Sequence, residues 1–148
     1  MADPVFDVSG RVVLVAGGAQ GLGLGLASGL AARGARIVLA DRLEQETSDA
    51  LRTLPGKGHL SCALDVTDPQ SVDEVIACAQ HHGGRIDAVL NSAGIARFAP
   101  ALDLSVADFI ETMAVNVTGA FLLSRSAARV MAEQERGGRI VHLASVSS

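Results

Sequence analysis

The sequence predicts a doubly wound α/β domain, a parallel sheet with helices on both faces, and three observations predict it. Short runs rich in Val, Ile and Leu alternate with longer helical patterns along the whole chain. A glycine cluster, Gly17-Gly18-Ala19-Gln20-Gly21-Leu22-Gly23, separates the first such run from the first helix. Asp41, Asp65, Asn91 and Ser145 stand at the carboxyl ends of four runs, where open sheets of this kind hold their ligands.

Taken in order, Arg11–Gly17 is a Val-rich strand, short and β-branched. Leu22–Arg33 is a helix, ended by Gly34 just past its last turn. Arg36–Ala40 is the second strand, and Leu43–Leu54 a polar, amphipathic helix that Pro55-Gly56 stops. Gly58–Leu64 is the third strand. Asp68 or Ser71 caps a helix running to about His81, which Gly83-Gly84 close. Ile86–Leu90 is the fourth strand, followed by a loop through Pro100. Ser105–Gln134 reads as one long helix. Its apolar residues Phe109, Ile110, Met113, Val117, Phe121 and Leu122 recur at three- and four-residue steps. Gly137-Gly138 end it, and Arg139–Ala144 is the fifth strand. No repeat, linker or low-complexity tract divides residues 1–148, so one domain is expected. A parallel sheet stopping just before Ser148 would show a bare edge, so the chain reads as the first part of something longer.

Composition narrows the function classes. The chain of 148 residues is 49% hydrophobic and 19% charged, with a net charge of −4. Its mean hydropathy is +0.35 and its pI about 5.5. A disordered chain is excluded, and without a basic surplus no nucleic-acid partner is expected. The stretch Val12–Ala32 carries no charge and is as long as the roughly 20 residues of a membrane span. Its glycines at 17, 18, 21, 23, 25 and 29 fit a strand, a turn and a helix better, so no membrane partner is expected. The opening MADPVFDVSG holds Asp3 and Asp7 but no basic residue, unlike a signal peptide. Cys62 and Cys78 are too few for a disulfide scaffold and fit a reducing, cytoplasmic location. Neither cysteines nor histidines show metal-ligand spacing, so no metal site is expected. The chain has no Tyr, no Trp and one lysine, Lys57. A mechanism that needs a tyrosine acid or base therefore cannot be completed within it.

The glycine cluster carries the strongest local chemistry. It leaves a strand and opens a helix, as a dinucleotide-binding loop does, although its spacing is GxxxGxG and not GxGxxG. Gly17 permits the tight turn, Gly21 lets backbone approach a pyrophosphate, and Gly23 lets the helix pack closely on the sheet. The helix N-terminus offers N–H donors to the anion. Asp41 follows Gly23 at close to the spacing of about 20 residues at which an acidic residue meets the adenosine ribose. A carboxylate there binds both ribose hydroxyls and repels a 2′-phosphate, which favours NAD over NADP. The adjacent Arg42 could instead accommodate that phosphate, and Asp41 could merely cap the helix from Leu43.

With these residues in place the chain resembles the short-chain dehydrogenase/reductase family in its shorter, single-domain form. Four further stretches carry the resemblance: Leu64-Asp65-Val66; Asn91-Ser92-Ala93-Gly94; Asn116-Val117-Thr118-Gly119-Ala120-Phe121; and Gly138 to Val146, GRIVHLASV. They occur in family order across the chain. The resemblance implies a Rossmann fold with strand order 3-2-1-4-5 and its C-terminal part still to come. It implies that Gly17, Gln20, Gly21, Leu22, Gly23, Asp41 and Arg42 hold the cofactor. Asp65 would bond the adenine amino group, with the Val66 backbone beside it. Asn91, Ala93 and Gly94 would line the adenosine-ribose side of the cleft and steady the central sheet. Asn116 would kink the long helix and hold a water in a proton relay, and Ser145 would bond the reacting substrate oxygen.

Three departures stand out. Ala16 replaces the usual Thr before the first glycine, and Ser92 replaces the second Asn of NNAG. The YxxxK tyrosine and lysine lie in no position of this chain, and Lys57, in a turn before the third strand, cannot replace them. His142 falls three residues before Ser145 on a strand, hence on the opposite face, and reads as a half-buried structural histidine. The expected function is NAD-dependent hydride transfer between the nicotinamide and a secondary alcohol or ketone, such as a sugar alcohol or hydroxy acid. By family analogy the long helix meets a partner subunit in a homodimer or homotetramer. Two other readings stay open: an NADP-dependent ketone reductase relying on Arg42 and, for a chain truly ending at Ser148, an inactive dinucleotide-binding module.

Overall fold

The computed structural model describes residues 7–145; Asp3, Val146 and Ser148 lie outside the described residues. Five parallel strands, β1 (Val12–Ala16), β2 (Arg36–Asp41), β3 (Leu60–Ala63), β4 (Ala88–Asn91) and β5 (Arg139–His142), make one sheet in the order β3-β2-β1-β4-β5. This is the expected doubly wound, Rossmann-like order. β1 is central and every residue of it is buried, because a parallel strand covered on both faces needs side chains that tolerate no water on either. Its alternation then sorts the core. Val12, Leu14 and Ala16 face α3 (Pro69–Gly83) and α5 (Ala120–Ala132), meeting Val72, Val75, Ile76, Leu123 and Ala127. Val13 and Val15 face α1 (Gly21–Ala31) and α2 (Glu44–Thr53), meeting Ala27, Ala31, Ala50 and Leu54.

Strand ends are shorter than the apolar runs suggest, since ladder bonds stop before the side chains leave the core. The strand expected over Gly58–Leu64 spans only Leu60–Ala63, and that over Ile86–Leu90 shifts to Ala88–Asn91. Asp68 caps α3, accepting from the Gln70 N–H, and Pro69 occupies the first turn. Ser71 does something else: its hydroxyl accepts from the Asp65 N–H at 2.9 Å. At the far end, Gly84 takes the left-handed conformation at φ 73° and bonds back to Gln80.

The helix expected over Ser105–Gln134 has a more particular form. Ser105 caps α4 (Val106–Met113), the stretch Ala114–Gly119 widens to a π-helix, and α5 completes it. The stretch Val12–Ala32 divides into strand, turn and helix, whereas Val106–Ala132 is long and apolar enough to cross a membrane by length and composition. Only part of it packs inward. Leu122, Leu123, Ala127 and Met131 of α5 are buried, while Val106, Phe109, Ile110, Val117 and Phe121 are exposed.

Candidate functional site

The parallel register aligns the carboxyl ends of the central strands: Ala16 lies opposite both Ala40 and Asn91, and Asn91 opposite His142. There β1 turns. The Gly17 and Gly18 N–H groups both donate to the Ala40 carbonyl, at 2.9 and 3.1 Å. Gly17 sits at φ 74°, and a Cβ on it would come within 2.5 Å of the Ala93 nitrogen. Only glycine allows that crossing of loop over loop. Gly23 is needed for a different contact from the one expected: its Cβ would strike the Gly17 carbonyl oxygen, so it packs the helix onto the loop and not onto the sheet. Gly21, at φ 57°, has open space in front of it, as a backbone approached by a ligand requires. Gly18, unassigned from sequence, leaves room for the Leu39 side chain.

The start of α1 is electrostatically bare. Gln20, its N-cap, makes no side-chain cap bond, and the first turn holds no acidic residue. Orphan N–H donors and the positive end of the helix dipole therefore face outward, a combination that suits a phosphate or pyrophosphate.

Asp41, the last residue of β2, ties this loop in place. One carboxylate oxygen accepts from the Ala19 N–H at 3.1 Å and the other from the Leu43 N–H at 3.3 Å. The N-cap of α2 is Leu43, so Asp41 makes a turn before that helix and does not cap it. Each oxygen keeps a lone pair for a ligand hydroxyl. Arg42 is exposed beside it. Asp65, two residues beyond β3, accepts from the Thr67 hydroxyl at 2.7 Å and the Thr67 N–H at 2.9 Å. These two bonds, with the charge of Arg42 adding to them, hold its carboxyl below the usual range.

A cleft of about 390 Å³ opens between these elements. Ten expected residues line it: Gly17, Gln20, Gly21, Leu22, Asp41, Arg42, Asp65, Val66, Ala93 and Gly94. Leu43, Leu64, Ser92, Ile95 and Val115 complete the lining. The sequence assigned none of these five to the site: the four apolar side chains carry no chemical signature, and Ser92 stood out only as a departure from the NNAG stretch. Gly23 and Asn91 are not among the residues lining the cleft. Asn91 is only 5% exposed, and of its two expected roles the one visible in the structure is that of a fastener of the sheet.

That fastener is a chain of bonds. The Asn91 side-chain oxygen accepts from the Ala93 N–H, which turns its amide nitrogen toward His142 Nδ1 at 3.1 Å. His142 Nε2 is 2.8 Å from the Ser124 hydroxyl, which donates to the Ala120 carbonyl at 2.7 Å. These partners assign the proton to Nε2 of a neutral ring. His142 is exposed, not half-buried as expected, yet both nitrogens are engaged in joining β4, β5 and α5.

Asn116 sits in the π-helical stretch. Its side-chain nitrogen donates to the Ile95 carbonyl at 2.8 Å, and its oxygen accepts from the Ile95 N–H at 2.9 Å. It clamps the loop after β4 to the long helix, and half of its hydrogen-bonding capacity remains for water. Nearby, a Cβ on Gly119 would come within 2.8 Å of the Val66 side chain, so the same stretch also presses on the loop after β3. Ser145 follows β5, exposed, and is not among the residues lining the cleft.

Comparison with known proteins agrees with this geometry. The short chain dehydrogenase family pattern matches residues 11–148. D-threitol dehydrogenase of Mycolicibacterium smegmatis is 41% identical over 143 residues, covering 95% of this chain and 54% of the relative. Gluconate 5-dehydrogenase of Gluconobacter oxydans is 36% identical over 146 residues, covering 97% and 57%. The solved structure of a short-chain type dehydrogenase/reductase from Mycobacterium marinum superposes with a TM-score of 0.89 at 33% identity, covering 96% of this chain and 58% of that one. The chain thus spans about half the length of the curated relatives it matches. Sheet order, glycine turn and family match agree, and the chain belongs to the short-chain dehydrogenase/reductase family.

Proposed function

We propose that this chain serves an NAD-dependent oxidoreductase that moves a hydride between the nicotinamide and a secondary alcohol or ketone. The observation that carries it is the cleft at the strand ends, where a bare helix N-terminus and the Asp41 carboxylate face one space. The residues present fit the cofactor. The N–H groups at Gly21 and Leu22 would hold the pyrophosphate, Asp41 the adenosine ribose, and Asp65 with Val66 the adenine. A bound nicotinamide supplies the hydride chemistry; the protein supplies orientation and proton handling. Asn116, through its unused valences, would position a relay water, and Ser145 would bond the substrate oxygen. The tyrosine that serves this family as acid/base is not among these residues. The names of relatives, D-threitol dehydrogenase, gluconate 5-dehydrogenase and galactitol 2-dehydrogenase among them, support a polyol or sugar-acid substrate.

Cofactor choice is tested at Asp41. Replacing it by Ala removes both the ribose acceptor and the charge that repels a 2′-phosphate, so NAD affinity falls about 10–100-fold against NADP. An unchanged NAD/NADP preference, by binding calorimetry, overturns the NAD assignment. Arg42, exposed and lining the cleft, favours a second reading as an NADP-dependent reductase; under it, Arg42→Ala weakens NADP and spares NAD. The bare apolar face of Val106–Phe121 supports a partner subunit there, in a homodimer or homotetramer, and the two free thiols suit a cytoplasmic location.

A further inference from the structure

Cys62 and Cys78 are too few for a disulfide framework, and the cleft uses neither. The fold nevertheless brings them together. Cys62 lies on β3, opposite Ala40 of β2, and Cys78 lies on α3, which packs against that strand. Their Sγ atoms are 2.8 Å apart, and both residues are partly exposed. A covalent S–S bond is about 2.05 Å long, so closure asks for less than about 1 Å of approach between two elements already in contact.

We propose that Cys62 and Cys78 form a redox-modification site, a dithiol that a low-molecular-weight disulfide of the glutathione class oxidises to an intramolecular disulfide. Burial, then the hydrogen bond and charge of Cys78, push the Cys62 thiol up to about 12. Cys62 therefore holds its proton at neutral pH, and Cys78 supplies the attacking sulfur. The Cys78 thiolate attacks one sulfur of the small disulfide, forming a mixed disulfide and expelling one thiolate. Cys62 then loses its proton to solvent or to that thiolate and attacks the Cys78 sulfur, expelling the second thiolate. The protein dithiol is oxidised by two electrons, the small disulfide is reduced by two, and both protein protons end on the released thiols. Closure staples β3 to α3, the two elements that carry the Asp65–Ser71 loop of the cleft.

The test uses the native protein, incubated with oxidised glutathione, alkylated, and mapped by mass spectrometry without reduction. Cys62 and Cys78 both become unavailable to alkylation, a peptide linked through them appears, and dithiothreitol reverses both changes. The thermal midpoint of the linked form rises by about 5–10 °C, because the bond closes a loop between residues 16 apart. Cys62→Ser halts at a glutathione adduct on Cys78 and shows no such rise. Persistence of both alkylatable thiols in the native protein, or glutathione adducts without a linked peptide, overturns the proposal.

Discussion

At the scale of single residues, the loop over the cleft is held by backbone contacts that no side chain can replace. Gly23 faces the Gly17 carbonyl so closely that even a methyl group cannot fit, and its obstacle is main chain that cannot swing away. Gly23→Ala is expected to cost about 2–3 kcal/mol of stability or to displace the loop and abolish dinucleotide binding, readable by urea unfolding and calorimetry. Gly21→Ala is a useful contrast. Nothing crowds the position, but its φ of 57° disfavours a side chain, so the cost is smaller, about 1 kcal/mol. Asp87 does comparable work at the opposite end of the sheet. It is 8% exposed, accepts from the Val12 N–H at 2.9 Å, and pairs with Arg11 at 2.9 Å and Arg85 at 2.7 Å. Burial opposes its ionisation, but the Val12 N–H and the two guanidinium groups together outweigh burial and hold the carboxyl below the usual range. A depressed carboxylate contributes stability above its unfolded pKa, about 4, and loses it as pH falls through the folded value. Asp87→Ala therefore costs about 1–3 kcal/mol at pH 7, the modest figure reflecting partly solvated arginines. The gap between variant and parent should narrow below about pH 4 in acid unfolding.

At the scale of elements, the long helix shows how one side chain can decide a local geometry. Asn116 reaches across to both backbone groups of Ile95 from within the wide stretch Ala114–Gly119. π-Helical turns of this kind occur mostly where a helix is deformed for a contact or a site. Asn116→Leu keeps the volume but removes both bonds, leaving the Ile95 N–H and carbonyl to water. The loop after β4 should then lose hydrogen-exchange protection at Ile95, with about 1–3 kcal/mol of local stability. Unchanged protection at Ile95 would show that the clamp is not what orders this loop. The fastener Asn91–His142–Ser124 is the equivalent at the sheet, joining three elements through a neutral imidazole. His142→Leu leaves the buried Asn91 amide nitrogen without an acceptor and should destabilise β5 by a similar amount.

At the scale of the whole molecule, the long helix buries one side of its length and leaves another bare. α5 buries Leu123 and Ala127, while Phe109 (53%), Ile110 (60%) and Phe121 (59%) stand exposed along α4 and beyond it. An exposed stripe of this kind marks an interaction surface more often than a free one. The protein is expected to self-associate through it, and the double change Phe109→Glu, Ile110→Glu should shift the mass by light scattering toward the monomer. An unaltered mass would place the interface elsewhere and leave this stripe for another partner.

Much of this was legible from residues alone. Fully buried parallel strands must be unbroken apolar runs, so VVLVA and IVLA announced β1 and β2, and the glycine cluster between β1 and α1 marked the turn and its anion-facing helix end. Asp41 was found from its place at a strand end and its spacing after Gly23, and Asp65 because Leu64-Asp65-Val66 resembles a stretch of the family. The sequence could not show partnerships across distance. Asn91 and Ala93 are two residues apart and read alike, yet one is sealed beneath the cleft and the other lines it, because burial depends on what the rest of the chain brings overhead. The clamp from Asn116 to Ile95 spans 21 residues, and the approach of Cys62 to Cys78 spans 16. Periodicity and local propensity settle which segments become strands and helices, since those depend on near neighbours along the chain. Which polar atoms meet is set only when the sheet register and the helix packing fix their positions in space.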